Sequence, residues 1–102
     1  MTEHRVASLA DMLIGGLVSV EVGGTRVVLT RLDDAVYACR DVCTHRGGRL
    51  SEGRLRGPRL ACPLHGWIFD VRTGQCLVPS RGDRLPIFPV RLDGESVFVE
   101  LP

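Results

Sequence analysis

Cys43-Thr44-His45-Arg46-Gly47-Gly48 and Cys62-Pro63-Leu64-His65-Gly66-Trp67 are the stretches on which the reading of this chain turns. Sixteen residues separate His45 from Cys62. Each short pair puts a thiol and an imidazole on one tight loop, and Pro63 and the neighbouring glycines favour fixed loop geometry. Thiolates and imidazoles are metal ligands, so four side chains on two loops make a candidate metal centre.

Outward from these loops the sequence reads as short strands between turns. Upstream, strands are predicted within Thr2–Leu9 and over Leu17–Val22, Thr25–Leu32 and Ala35–Arg40. Gly23-Gly24 between two β-branched runs is a hairpin signal, because both positions can take positive φ. Asp33-Asp34 makes the next turn. Downstream, two short strands flank Gly57-Pro58, then Trp67–Val71 and Gln75–Val78 follow. Phe88–Leu92 and Ser96–Leu101 form a last hairpin around Asp93-Gly94-Glu95. Only Leu9–Leu13 has room for a helical turn. Closely spaced strands with many turns predict an all-β sandwich or barrel.

The 102 residues suit one domain spanning 1–102, with ligand loops at about 43–49 and 62–67. The net charge of +1 favours neither nucleic acid nor membrane as partner. No apolar run approaches the roughly 20 residues needed to cross a bilayer, and no secretory signal frames Met12–Val20. Four cysteines in such a chain read as ligands or buried thiols in a cytoplasmic protein. All 13 basic residues are Arg. Arg40, Arg46, Arg49, Arg54, Arg56 and Arg59 face only Asp41 and Glu52 in that span, so the ligand-bearing region is locally basic.

Two metals accept Cys43, His45, Cys62 and His65. Zinc takes a tetrahedral Cys2His2 set and would make the chain a structural interaction module. A [2Fe–2S] cluster takes it with both cysteines on one iron and both histidines on the other. Each loop then supplies one ligand to each iron, which accounts for two similar pairs far apart in sequence.

The double motif resembles the paired signature of Rieske [2Fe–2S] proteins. Leu50-Ser51-Glu52-Gly53 after the first loop, and Phe69-Asp70 with Thr73-Gly74 after the second, extend the likeness from about Leu17 to the C-terminus. It implies a Rieske-like antiparallel β-sandwich with a small cluster-binding subdomain formed by the two loops. Rieske subunits of respiratory and photosynthetic cytochrome complexes carry a disulfide between the loops, at the positions of Gly48 and Leu64. Their serine and tyrosine donors to the cluster sulfurs are matched by Trp67 and Phe69, which lack hydroxyls. Such donors favour the reduced cluster, so their loss puts the potential at the low end of the roughly −150 to +300 mV Rieske range. Arg46 and Arg49 would oppose that shift.

What the resemblance implies about function is narrower still. The chain has three histidines, and the cluster uses His45 and His65. Only His4 remains, near the N-terminus and read as solvent-facing, so an oxygenase's two-His, one-carboxylate iron site cannot be built. No Gly-rich nucleotide fingerprint is present. The chain is therefore similar to soluble, monomeric Rieske ferredoxins of bacterial ring-hydroxylating oxygenase systems. These are electron carriers, not enzymes, between a flavin-dependent NAD(P)H reductase and a terminal oxygenase, which dock transiently near His45 and His65. Many have an acidic docking surface, whereas this chain is Arg-rich there, implying a partner with an acidic rim. A stably bound Rieske subunit of another oxidoreductase is the alternative. Cys39 and Cys76 read as buried thiols and Trp67 as core. Gly47, Gly48 and Gly66 read as positions where backbone N–H groups approach the sulfides.

Overall fold

The computed structural model describes residues 2–33, 35–44, 47–64, 66–80 and 82–102. Its first three-stranded sheet joins the two ends of the chain. Strand β1 (Thr2–Ser8) pairs with β11 (Ser96–Leu101), which also pairs with β10 (Val90–Asp93), all antiparallel. The second sheet orders β2 (Leu17–Val22), β3 (Thr25–Leu32), β4 (Ala35–Arg40) and β9 (Ile87–Phe88). The third orders β5 (Arg54–Arg56), β6 (Arg59–Ala61), β7 (Ile68–Asp70) and β8 (Cys76–Val78). Two short 3-10 turns, Leu9–Asp11 and Leu50–Glu52, complete the described elements. The all-β antiparallel expectation holds.

Strand alternation makes the second sheet a shared wall between two cores. Val27, Leu29, Val36 and Ala38 face Val97, Val99 and Leu101 of the first sheet. Val28 and Cys39, directly paired across β3 and β4, face Leu50, Leu60, Phe69 and Val71 instead. A period of two along each strand sends neighbouring side chains to opposite faces, so one strand feeds both cores. The second core lies under the ligand loops. Leu50, with no exposed surface, pins the turn after the first loop there, a burial that contributes about 2 kcal/mol.

Several boundaries follow from local chemistry. Gly23 and Gly24 take φ of 55° and 82°, as the hairpin between β2 and β3 requires. The second predicted turn includes Asp34, which lies outside the described residues. The strand predicted over Trp67–Val71 begins only at Ile68, because the Trp67 carbonyl accepts the Cys62 N–H at 2.7 Å to close the second loop. The strand predicted over Phe88–Leu92 is broken at Pro89. Proline has no N–H to donate, and the chain changes sheets there: Phe88 pairs with β4, and Val90 with β11. Asp93 pairs with Ser96, so the last turn narrows to Gly94-Glu95.

Candidate metal centre

Both candidate ligand cysteines are buried, Cys43 at 1% and Cys62 at 3% exposure. Their loops close in the same way. The Cys43 N–H donates to the Gly48 carbonyl at 2.8 Å, and the Gly47 N–H donates back to the Cys43 carbonyl at 3.0 Å. In the second loop the Cys62 N–H donates to Trp67 at 2.7 Å, and the Gly66 N–H to Cys62 at 3.1 Å. Gly47 and Gly66 both take positive φ, 71° and 69°. The pairing is a structural repeat that the different Cys–His spacings conceal. The N–H groups of these two glycines bond cysteine carbonyls, and added Cβ atoms would meet no protein atom within 4 Å. Their positive φ by itself favours glycine there.

Gly48 is different. A Cβ there would stand 2.8 Å from Leu64 Cδ1 and 3.3 Å from Cys62 Sγ. The two loops therefore touch at Gly48 and Leu64, and the glycine lets the Leu64 side chain pack against the first loop close to the Cys62 sulfur. His45, His65 and Arg46 lie outside the described residues. Farther along, a Cβ on Gly53 would overlap the Ala61 carbonyl, so the chain can pass between the loops and β6 only as glycine.

The site's main polar anchor was not read from the sequence. Asp41, two residues before Cys43, is fully buried. Its carboxylate accepts the Ser51 N–H at 2.7 Å, the Ser51 hydroxyl at 2.6 Å and the Ser19 hydroxyl at 3.0 Å. Its own N–H donates to the Arg26 carbonyl at 2.9 Å. Buried carboxylates persist only with such donors, so this one group ties β2, the end of β4 and the Leu50–Glu52 turn around the first loop. Nothing in the local pattern marks Asp41 as buried; a Ser on each of two remote elements supplies its partners. Arg49 Nε lies 4.0 Å from Asp41 and 3.9 Å from Glu52. Arg49 thus sits beside two carboxylates at the edge of the first loop.

The remaining sequence candidates sort cleanly. Trp67 is core, its ring tilted at 39° and 6.4 Å from that of Phe69. Cys39 and Cys76 are buried thiols in the same core. Burial, then the negative charge of Asp41, pushes the Cys39 thiol up to about 12, so it stays protonated. The Cys76 thiol donates to the Pro79 carbonyl at 3.2 Å. His4 is half-buried in β1 opposite Val99, not fully solvent-facing.

The family model for the Rieske [2Fe-2S] domain matches residues 2–89. The chain belongs to the Rieske [2Fe–2S] family. It is 34% identical over 97 residues to the ferredoxin component of the naphthalene 1,2-dioxygenase system of Pseudomonas putida, covering 95% of this chain and 93% of the relative. The ferredoxin of carbazole 1,9a-dioxygenase from Nocardioides aromaticivorans IC177 superposes with a TM-score of 0.90 at 32% identity, covering 97% of both chains. A chain in a complex of reduced oxygenase and oxidized ferredoxin in carbazole 1,9a-dioxygenase gives 0.88 at 35% identity, covering 95% of this chain and 91% of that one. The donors present fit the Rieske-type cluster of this family: two buried thiols on loops closed by the same pair of backbone hydrogen bonds.

Proposed function

We propose that Cys43 and Cys62 hold one iron of a single [2Fe–2S] cluster and His45 and His65 the other, in one Rieske domain spanning residues 1–102. The observation that carries this assignment is the matched closure of the two cysteine loops in a Rieske chain. When bound, the cluster supplies a one-electron store, neutral with both irons ferric and singly negative once reduced. The chain's own residues do the rest. Leu50, Leu60, Phe69 and Trp67 exclude water from the thiol side. The Asp41 network holds the first loop still, so little of the protein need rearrange when the charge changes. Thr44, Gly47, Pro63, Leu64 and Gly66 are exposed at the loop tips, leaving a short path outward.

The chain is an electron-transfer component of a multicomponent oxygenase system and not the oxygenase itself. It takes single electrons from a flavin-dependent NAD(P)H reductase and passes them to a terminal oxygenase of the ring-hydroxylating type. Near-full-length likeness to ferredoxins of naphthalene and carbazole dioxygenase systems supports this reading. So does likeness to a chain from an oxygenase–ferredoxin complex. Both partners dock in turn at the tip near His45 and His65, with the carrier a cytoplasmic monomer. No described helix is long and apolar enough to cross a membrane.

The purified protein tests the assignment directly. Two irons per chain and a Rieske visible spectrum are expected, with that spectrum altered in His45→Cys. A folded, colourless, zinc-containing protein would end the reading. Reduction by a flavin reductase with NAD(P)H, followed by reoxidation with a terminal oxygenase, tests the carrier role.

A further inference from the structure

The outer face of the third sheet is strongly basic. Its register puts Arg54, Ala61 and Ile68 on one rung and Arg56, Arg59 and Asp70 on the next but one, with the inward-facing Leu55, Leu60 and Phe69 between them. Arg54, Arg56 and Arg59 are exposed, and neither Arg54 nor Arg56 has an ion-pair partner among the described residues. Asp70, opposite Arg59, is already held by Arg72 at 2.9 Å. Arg56 and Arg59 stand directly across from each other on the hairpin, where like charges repel. The isolated chain offers them little compensation.

This face is continuous with the metal centre. Arg54, Arg56, Arg59, Ala61 and Ile68 line a shallow groove of about 370 Å³. Arg54 and Ala61 also line the next groove, which runs past Cys62, Pro63 and Gly66 and includes Glu52. On the opposite flank, Arg40 and Arg84 line a groove with Cys43 and Thr44. Between the flanks Leu64 is 54% exposed. An apolar centre inside a charged rim is the anatomy of a protein interface.

We propose that this collar, Arg54, Arg56 and Arg59 on one flank with Arg40 and Arg84 on the other, docks the acidic rim of the protein that exchanges electrons at the loop tip, with Leu64 at the dry centre. The inference rests on the electron-carrier reading above. Guanidinium groups match carboxylates in forked pairs and steer an acidic partner from beyond contact range.

Stopped-flow electron transfer with the cluster-loaded protein tests it. Flavodoxin hydroquinone, an acidic flavoprotein, serves as donor, and cytochrome c, a basic heme protein, as acceptor. The rate with flavodoxin should fall as salt is added. At low salt it should drop about tenfold in the Arg54→Ser/Arg56→Ser double variant, the lower end of what steering supplies. The same variant should speed transfer to cytochrome c and keep its visible spectrum. Arg5→Ser, on β1 of the first sheet, should change neither rate. A reducible protein whose flavodoxin rate ignores salt, or ignores the two arginines, overturns the docking surface alone. A cluster that dithionite cannot reduce overturns the carrier reading, and the docking surface with it.

Discussion

Ser51 meets the buried carboxylate of Asp41 twice, through its N–H at 2.7 Å and its hydroxyl at 2.6 Å. One serine after the first ligand loop is thereby bound to one aspartate before it, and the loop between them is closed from below. Ser51→Ala keeps the first bond and removes the second. A hydrogen bond to a charged group contributes about 2 kcal/mol, so the melting temperature should fall by about 10 °C. Thermal unfolding followed by circular dichroism reads this. A shift under about 2 °C would show that the hydroxyl bond carries little of the loop's stability.

Gly48 and Leu64 are neighbours across the two loops, where the cytochrome-complex relatives have a disulfide. A Cβ on Gly48 would lie 2.9 Å from Leu64 Cγ, which places two cysteines there within bridging range. The Gly48→Cys/Leu64→Cys variant should form the bond on oxidation, seen by peptide mapping without reductant. Closing a loop of this length should add about 3 kcal/mol relative to the reduced form. Free thiols persisting after treatment with oxidant would place the loops farther apart than described.

Phe69 is fully buried in the core beneath the ligand loops and has no hydroxyl. By the family resemblance, a tyrosine here donates to a ligand sulfur and favours the more negative, reduced cluster. Phe69→Tyr should therefore raise the potential. A net gain of about 1 kcal/mol corresponds to about 40 mV for one electron. Protein-film voltammetry should show that rise in Phe69→Tyr and none in Phe69→Leu. Equal potentials in the tyrosine variant and the parent would remove the missing donor as the reason for a low value.

Arg72 grips Asp70 through Nη2 at 2.9 Å, Nε at 3.1 Å and its backbone N–H at 2.9 Å. The side-chain bonds from Arg72 are the largest influence and hold the carboxyl below its ordinary 3.8; Arg59 adds a smaller pull. A depressed acid stabilises the fold above its unfolded value. That contribution fades as pH falls from about 3.8 through the lower folded value. Acid titration of stability should be steeper below pH 3.8 in the parent than in Arg72→Gln. Parallel acid limbs would show that the grip is absent in solution.

Much of the scaffold is legible residue by residue. Leu17–Val22, Thr25–Leu32 and Ala35–Arg40 are bounded in the structure as the alternation and glycine turns predict. Local chemistry suffices there, since hairpin turns and a period of two fix register over short distances. Val71 and Gln75 each fall one residue outside the strands predicted to hold them, and two further misplaced boundaries, at Trp67 and Pro89, have a visible cause. At the first a carbonyl is diverted to a loop, and at the second the chain leaves one sheet for another. Both events depend on partners remote in sequence.

The metal centre divides along the same line. The sequence by itself determined the candidate centre, because the four proposed ligands at this spacing, and the Rieske likeness of the residues around them, depend only on residue type and order. It could not reveal that Asp41 is buried, since the cost of burying a carboxylate is offset by Ser19 and Ser51, 22 residues before it and 10 after. Nor could it reveal that Arg54, Arg56 and Arg59 share one outward face. Only the pairing of β5 with β6 decides that, because a one-residue slip in register would have turned those charges toward the core.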